Sequence, residues 1–250
     1  MTVLITGVSR GLGHALAAAA ISRGMAVAGI VRNPAAESVK ELAARGMRVF
    51  DADLSDPLSI AGLIAQLREA DVVPRTLVLN AGLMADDFGE RVDAECMQKV
   101  LATNLLAPLL LISYFLPAMA ASKGLVIAIS SLSARLATDP RRVAYPASKA
   151  GLSMALSALR LRRDLPSVRF VTVEAGRIAA APLPLAVTYE AAALRILALM
   201  DDPDPPATVA FPASAALIFG VLGSLPAACR SWIVDRRSKS RSGGLTKTKL

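Results

Sequence analysis

The chain of 250 residues is 54% hydrophobic and 4% aromatic, and it carries a formal net charge of +8 at pH 7. The length allows one large α/β domain or two small ones, and the apolar fraction is ample for a core. His14 is the single histidine, which excludes His-rich metal sites and also a Ser-His-Asp triad unless His14 serves in it, so the sequence predicts no metal site.

The first predicted element is a strand over residues 3–6 that runs directly into a glycine turn. Gly7 allows a tight exit from the strand, Gly11 lets the backbone approach a ligand, and Gly13 lets the following helix pack against the strand. The amide groups at the N-terminus of that helix then face an anion, as in a phosphate-binding turn. The alternative is a turn that only redirects the chain.

Short apolar strands then alternate with helical stretches. The strand segments are continuously apolar, as expected for strands covered on both faces. This series predicts a parallel sheet with right-handed crossovers, and therefore a doubly wound α/β fold with helices on both faces, formed as a single domain over residues 1–235. The predicted strands are residues 3–6, 26–31, 48–50, 76–79, 125–129 and 169–173.

Polar residues stand at informative places in this series. Asn80 and Ser131 each follow a predicted strand, and a helix is predicted to begin near Asn104. Tyr145 and Lys149 open an Ala/Leu-rich helix four residues apart, so they share one face of it. An ammonium about 4 Å from the phenol contributes about 4 kcal/mol at an effective dielectric constant of about 20, which lowers the tyrosine pKa by about three before desolvation. The pair therefore predicts a general acid/base close to working pH.

Together these motifs resemble the short-chain dehydrogenase/reductase family. The sequence TGVSRGLG (residues 6–13) is similar to the family's cofactor turn, NAG (80–82) to its sheet-stabilising motif, and YPASK (145–149) to its catalytic motif. The resemblance covers residues 2–176. It implies a Rossmann-type sheet, a nicotinamide cofactor, and oxidation or reduction at an alcohol or carbonyl carbon.

The resemblance also implies a role for each polar residue. Tyr145 would exchange a proton with the substrate oxygen, and Lys149 would hold the nicotinamide ribose and lower the pKa of Tyr145. Ser131 would hydrogen-bond the substrate carbonyl. Asn104 would support a water that relays protons to Lys149.

The loop between the serine and the tyrosine is one residue longer than is common in the family, and we assign the insertion to its Asp-Pro-Arg-Arg sequence. Ser131 matches the second serine of the family's usual pair, with Ser130 and Ser133 beside it. Arg141 and Arg142 either meet an acidic substrate at the mouth of the cleft or belong to a solvated loop.

The resemblance implies that the cofactor lies against the glycine turn and the ends of the next strands, with Asp53 in the place of the family's adenine-contacting acid. The second predicted strand ends in Val31, where NAD-preferring relatives have an acid, and Arg32 follows it. With Arg10 in the turn, Arg32 suits the 2′-phosphate of NADP, so we expect NADP(H) to be favoured over NAD(H); alternatively, Arg32 is a solvated loop residue. The predicted cofactor-binding residues are Gly7, Ser9, Arg10, Gly11, Leu12, Gly13, Arg32, Asn33, Asp53, Leu54, Asn80, Ala81, Gly82, Tyr145, Lys149, Gly176 and Ile178.

After the sixth predicted strand the sequence departs from the family. Relatives usually have Pro-Gly and then a threonine, whereas Ala175 precedes Gly176 here and Ala180 stands near the threonine position. One hydrogen bond to the nicotinamide amide is then lost, which predicts weaker cofactor binding or an altered pose.

Residues 177–235 are predicted to form the substrate lid and variable C-terminal helices, and the small apolar residues that follow Gly176 predict an apolar substrate. Residues 205–229 are uncharged but interrupted by prolines. Their proline-free part, residues 213–225, has 13 residues, whereas a membrane span needs about 20. A helix that covers the substrate is favoured there over peripheral membrane contact.

The uncharged residues 105–121 are predicted to form a buried helix at a subunit interface rather than a membrane span. Because residues 213–225 do not resemble the glycine-ending strand of many relatives, the family's tetramer is not the first expectation. We expect a homodimer through the helices at 101–121 and 144–164, with a tetramer as the alternative.

The last part of the sequence explains the basic charge. Residues 236–250 hold six of the eight net positive charges and no acid, so the rest of the chain is nearly neutral. No aromatic residue lies among these charges, which favours a solvated, disordered tail over a nucleic-acid-binding surface. Cys96 and Cys229 form no CxxC pair and no signal peptide is recognised, so we expect a cytoplasmic protein.

The sequence as a whole predicts an NADP(H)-dependent oxidoreductase. It would transfer hydride between nicotinamide and the carbonyl or secondary alcohol carbon of an apolar small molecule, with Tyr145 as general acid/base. The expected partners are that substrate and a second copy of the chain, without nucleic acid. Two alternatives stay open: a non-catalytic dinucleotide-binding protein and a membrane-peripheral protein, each retaining the fold.

Overall fold

The fold is built on one parallel sheet. The computed structural model describes residues 2–89, 91–165 and 167–226. The strands there are β1 (Thr2–Thr6), β2 (Ala26–Val31), β3 (Arg48–Asp51), β4 (Thr76–Leu79), β5 (Leu125–Ser131), β6 (Arg169–Ala175), β7 (Arg177–Ala179), β8 (Ala186–Thr188) and β9 (Thr208–Phe211). The sheet has the order β3-β2-β1-β4-β5-β6-β9, and β7 pairs with β8 apart from it. Because the order reverses between β1 and β4, a crevice opens at their carboxyl ends.

Helices cover both faces of this sheet. They are α1 (Gly11–Ser22), α2 (Glu37–Ala44), α3 (Pro57–Glu69), α4 (Ala94–Leu101), α5 (Ala107–Ala121), α6 (Ala144–Arg160), α7 (Tyr189–Asp201) and α8 (Ala213–Ser224). Val3 and Ile5 of β1 pack in the core with α1, α2 and α7, whereas Leu4 packs in the opposite core with α3, α5 and α6. Alternate side chains of a strand point to opposite faces, which is why continuously apolar strands are needed here.

The predicted doubly wound α/β fold is confirmed. All six predicted strands form, and β5 and β6 each extend two residues further, to Ser131 and Ala175. The sequence analysis missed β9, because its four residues lie in a proline-rich segment and give too short a pattern. The predicted helix at 213–225 forms as α8.

One prediction about a helix was wrong. The helix at Asn104 does not begin there: a continuous helix runs from Ala94 to Ala121, and Asn104 lies in a π-helical turn, Ala102–Leu106, that joins α4 to α5. By length and composition alone, this helix is long and apolar enough to cross a membrane, a test that core helices also pass. Leu111 and Phe115 of α5 are buried against the sheet, as predicted for residues 105–121.

The C-terminal part extends the sheet at its edge. After β6 the chain forms the β7–β8 pair, then α7 packs beside α1, β9 joins β6, and α8 follows. Cys229 and the predicted basic tail at 236–250 lie outside the described residues.

Candidate active site

The glycine turn brings three backbone segments into close contact. Gly7 and Gly11 have φ angles of +75° and +60°, in the left-handed region that favours glycine. A methyl group on Gly13 would lie 2.1 Å from the carbonyl oxygen of Gly7, so only glycine fits there. Arg10 precedes α1 without a side-chain cap, and the first turn holds no acid. The free amides at this helix N-terminus therefore suit an anion.

Asn80 ties the turn to the neighbouring strand. Its Nδ2 donates to the carbonyl oxygens of Thr6, at 2.9 Å, and Gly7, at 3.1 Å. The hydroxyl of Thr6 accepts from the backbone N–H groups of Asn80 and Ala81, at 3.0 and 2.9 Å. These bonds fix the carboxyl ends of β1 and β4 on both sides of the crevice.

A cleft of about 960 Å³ occupies this crevice. That volume lies within the range of small-molecule sites. The structure brings to its lining thirteen of the predicted cofactor residues: Gly7, Ser9, Arg10, Gly11, Leu12, Gly13, Arg32, Asn33, Asp53, Leu54, Asn80, Ala81 and Gly82.

Basic side chains outnumber acidic ones at the end of the cleft that is lined by Arg10, Arg32 and Asp53. Asp53 accepts from the backbone N–H and the hydroxyl of Ser55, at 2.9 and 2.7 Å, and these hydrogen bonds, with a smaller effect of Arg32, hold its pKa below the usual value. Arg10 and Arg32 are exposed, and among the described residues neither guanidinium has an ion-pair partner. This end therefore suits an anionic group.

The predicted catalytic residues converge beyond the other end of the cleft. Ser131 ends β5, Asn104 lies in the π-helical turn, and Tyr145 and Lys149 lie on α6. A methyl group on Gly82, which lines the cleft, would lie 3.5 Å from Lys149 Nζ and 3.6 Å from Asn104 Oδ1. The cleft thus leads directly to the lysine.

The electrostatics of the Tyr-Lys pair differ from the sequence-based expectation. Lys149 Nζ donates to the carbonyl oxygen of Ile129 at 2.8 Å and lies 6.0 Å from the centre of the Tyr145 ring. Burial lowers the pKa of Lys149 to about 8. Burial raises the pKa of Tyr145, and the opposing effects come from a hydrogen bond to Ser131 and the charge of Arg142. The expected lowering of this pKa by an ammonium about 4 Å away was therefore wrong, because Lys149 is not among the groups that shift it.

The two neighbouring serines point to different partners. Ser130 Oγ donates to the carbonyl oxygen of Lys149 at 3.1 Å and lies 2.7 Å from Ser153 Oγ, so it joins β5 to α6. Ser131 Oγ accepts from the N–H of Ser133 at 3.1 Å, and the Ser131 side chain is close enough to the phenol to lower the pKa of Tyr145. Of the two, Ser131 is the one that faces the phenol.

Asn104 is held from three directions. Its Oδ1 accepts from the N–H of Leu83 at 2.7 Å, and its Nδ2 donates to the carbonyl of Leu83 at 2.8 Å and to Ser148 Oγ at 3.0 Å. These bonds connect the loop after β4 to α6. The water-supporting role that the resemblance implies for Asn104 stays a prediction.

The two loop arginines are paired with acids. Arg142 Nε donates to Asp86 at 2.7 Å, and Arg141 binds Asp139 at 3.2 Å and Asp86 at 3.3 Å. The alternative of a charged surface loop therefore agrees with the structure better than a free pair of guanidiniums for an acidic substrate.

Asp87 was missed by the sequence analysis. Its buried carboxylate accepts from the N–H groups of Val143, at 2.8 Å, and Ala144, at 3.0 Å. It thereby fixes the first turn of α6, directly before Tyr145. An acid in a loop gives no local signal of such a long-range cap.

Tyr189 was also missed. It begins α7 and lines the cleft, and its ring lies 3.4 Å from the position of a methyl group on Gly11. By contrast, Gly176 and Ile178 are not among the residues that line this cleft. Gly176 instead donates to the carbonyl of Phe211 at 2.8 Å, because β9 pairs with β6 at this point.

The cleft fits a dinucleotide. The fitting features are a turn where a Cβ would collide with backbone, an uncapped helix N-terminus, and the guanidiniums of Arg10 and Arg32, which form no ion pair within the described part of the chain. Groups of these kinds bind a pyrophosphate and a ribose that carries a 2′-phosphate.

Comparisons with known proteins point in the same direction. A sequence model of the family described as short chain dehydrogenase matches residues 1–184. Estradiol 17-beta-dehydrogenase 2 of Rattus norvegicus is 29% identical over 180 residues, which are 70% of this chain and 47% of that protein, so the chain spans about half the length of this relative.

Two solved structures are similar to most of the chain. A short-chain dehydrogenase from Streptomyces avermitilis has a TM-score of 0.78 at 23% identity and covers 96% of this chain and 97% of its own. A metagenomic short-chain oxidoreductase in complex with NADP has a TM-score of 0.72 at 29% identity and covers 84% of this chain and 96% of its own.

Proposed function

Because this chain belongs to the short-chain dehydrogenase/reductase family of oxidoreductases, we propose that it transfers hydride between NADP(H) and the carbonyl or secondary alcohol carbon of an apolar small molecule. The observation that carries this proposal is the convergence of Ser131, Tyr145 and Lys149 beside Gly82, at the end of a cleft that suits a dinucleotide. A protein that only binds a dinucleotide has no need of this buried polar group.

Binding and orientation come from the chain. The glycine turn and the N-terminus of α1 would hold the pyrophosphate, Arg10 and Arg32 would hold the adenosine end, and Lys149 would hold the nicotinamide ribose. Nicotinamide supplies or accepts the hydride when it is bound, and the protein supplies position and electrostatics.

Proton transfer is the task of Tyr145. In reduction its hydroxyl donates to the substrate carbonyl oxygen, while Ser131 donates a second hydrogen bond to the same oxygen and stabilises the charge that develops there. The pKa of Lys149, at about 8, lies close to working pH, so the lysine can both hold a ribose hydroxyl and pass on a proton.

The test is NADPH oxidation by the full chain against a panel of ketones and aldehydes, followed by the loss of NADPH absorbance. Tyr145→Phe should lower kcat about 10²- to 10⁴-fold. Its Kd for NADPH should change by no more than about threefold, because only one hydroxyl is lost. Tyr114→Phe, on α5 and packed against Phe115, is the matched control and should keep full activity. A Tyr145→Phe variant as active as the parent protein would contradict the proposal.

Preference for NADP(H) is supported by the two guanidiniums and by the absence of an acid at Val31. Arg32→Ala should raise the Kd for NADPH by about 10- to 100-fold, because a charge-assisted bond of about 1.5–3 kcal/mol is lost, and it should leave the Kd for NADH unchanged. Arg163→Ala, exposed in the loop between α6 and β6 at the opposite edge of the sheet, is the control. Equal losses for both cofactors would reject the role of Arg32.

An apolar substrate is supported by the loop between β7 and β8, which exposes Leu183 and Leu185. The relative named estradiol 17-beta-dehydrogenase 2 has, by its name, an apolar secondary alcohol as substrate. Decalin-like and steroid ketones should therefore be reduced with a lower KM than short polar ketones of equal reactivity.

A homodimer is supported by apolar side chains exposed on two neighbouring helices, Leu106 and Leu110 on the α4–α5 helix and Met154 on α6. Light scattering after gel filtration should give twice the mass of one chain. Leu106→Lys combined with Met154→Lys should give a monomer, whereas an unchanged mass would place the interface elsewhere.

A further inference from the structure

Helix α8 has an apolar face that nothing in the described chain covers. Ala215, Phe219 and Leu222 lie on the side that packs toward β9. The opposite side presents Leu217, with 70% of its surface exposed, and Val221, with 55% exposed. Surface helices normally carry polar residues on their outer face, and α8 has no charged residue at all.

The outward face continues at helical spacing. Ile218 is 38% exposed and lies between Leu217 and Val221, so the three side chains form one stripe along about one turn of the helix. We call these three residues the outer stripe. A contiguous apolar surface of this kind marks an interaction site.

The helix begins beside the substrate end of the candidate active site. Ser131 of β5 pairs with Ala175 of β6, and Ala175 pairs with Phe211 of β9, directly before α8. Two strand spacings separate Ser131 from Phe211, which is about 10 Å. Pro212 at the start of α8 also contacts Gly176, at 3.1 Å from the position of its missing methyl group. Helix α8, which carries the outer stripe, therefore begins at the same carboxyl ends of the strands as the candidate active site.

The charge of the residues that follow α8 in the sequence indicates which kind of surface would bind the outer stripe. Residues 227–250 contain seven lysines and arginines and one acid, which is six of the eight net positive charges of the chain. An apolar helix next to a cation-rich segment suits a membrane with anionic lipids, because apolar burial and headgroup attraction then act together. A second copy of the chain carries the same positive charge, so it offers no such charge complementarity.

We propose that α8 docks on the surface of an anionic lipid membrane, with the outer stripe in the interface. Its 12 residues are about 18 Å long, too short to cross a hydrocarbon core of about 30 Å, so the helix lies on the membrane and does not span it. Docking itself does not depend on catalysis. Its consequence for the enzyme, which rests on the proposed function, is that an apolar substrate reaches Ser131 and Tyr145 from the lipid phase.

The test is flotation of the full chain with two kinds of vesicle, one of phosphatidylcholine alone and one that also contains phosphatidylserine. Binding should be about tenfold stronger to the anionic vesicles and should fall as salt is raised. Equal binding to both kinds of vesicle, or no binding to either, would overturn the proposal.

Variants distinguish docking through the outer stripe from nonspecific binding of exposed leucines to lipid. Leu217→Ser combined with Val221→Ser should lower vesicle binding about tenfold, with far-ultraviolet circular dichroism and NADPH affinity unchanged. Leu161→Ser, at a leucine equally exposed in the loop after α6, is the matched control and should bind as the parent does. Arg236→Gln with Arg237→Gln should lower binding to anionic vesicles only.

Two results would assign the stripe to something other than lipid. If the serine variants bind vesicles normally, the stripe is not the docking surface. If they convert a dimer to a monomer without changing vesicle binding, a second copy covers the stripe. Because vesicle binding is measured without turnover, a chain that floats with lipid but reduces no ketone would refute the proposed function and leave the docking intact.

Discussion

Replacement of Gly13 by alanine tests how tightly the glycine turn is packed. The added methyl group would lie 2.1 Å from the carbonyl oxygen of Gly7 and 2.4 Å from Asn80 Nδ2. Both distances are far inside van der Waals contact. The first atom belongs to the backbone, and the second is an amide that already donates to Thr6 and Gly7. Neither can move without breaking a contact.

The cost has two parts that add, because the methyl group collides with both atoms. Rotation of Asn80 away from the methyl group deprives two carbonyl oxygens of their donor, at about 1 kcal/mol for each bond. Movement of α1 away from the carbonyl of Gly7 loses the packing of the turn, and overpacking of this kind costs about 1–3 kcal/mol. We therefore expect Gly13→Ala to lower the free energy of unfolding by about 3–5 kcal/mol.

The measurement is urea unfolding followed by circular dichroism, with an NADPH titration of the folded fraction. Gly62→Ala is the matched control, because Gly62 lies in α3 with no atom within 4 Å of its missing methyl group. There, alanine should raise the free energy of unfolding by about 1 kcal/mol through helix propensity. A Gly13→Ala variant as stable as the parent would refute the close contact described above.

Further predictions concern α6. Burial lowers the pKa of Lys149 from 10.5 to about 8, so between these pH values the unfolded chain binds the proton more tightly, and stability should rise as pH increases from about 8 to 10.5. Lys149→Met should remove that rise in urea unfolding series, and an equal slope in both proteins would reject it. Asp87→Asn leaves one acceptor for two N–H donors, so kcat should fall about tenfold and the free energy of unfolding by about 1 kcal/mol. Steady-state kinetics and unfolding would check this, with the more exposed Asp86→Asn as control, and a rise in KM alone would contradict it.

Local patterns in the sequence predicted the parts of the site that are built locally. The glycine turn, Asn80 and the Tyr-Lys spacing each depend on residues within a few positions, and the structure brings most of the residues predicted from them to one cleft. Tyr189 lies far along the chain from the turn that it covers, and Asp87 caps a helix 57 residues further on. Such contacts depend on the strand order, which no local pattern contains.

Electrostatic predictions were less successful than geometric ones for a related reason. The spacing of Tyr145 and Lys149 predicts a shared helical face, and that face forms. The pKa of Lys149 depends on burial, and that of Tyr145 depends on burial and on two residues from outside α6, Ser131 on β5 and Arg142. The desolvation that the spacing argument set aside turned out to be the largest influence on both groups.

The wide turn in the middle of the α4–α5 helix makes the length of that helix as important as its composition. A π turn accommodates one residue more than an α-helix does. Removing one residue from Ala102–Leu106 would let the helix close to regular winding, and the side chains within the turn would then change their direction around the helix axis. Leu83 and Ser148 would then no longer face Asn104. We therefore expect the residues of this stretch other than Asn104 to accept many substitutions in a deletion-and-substitution scan, while every single-residue deletion within it inactivates the protein.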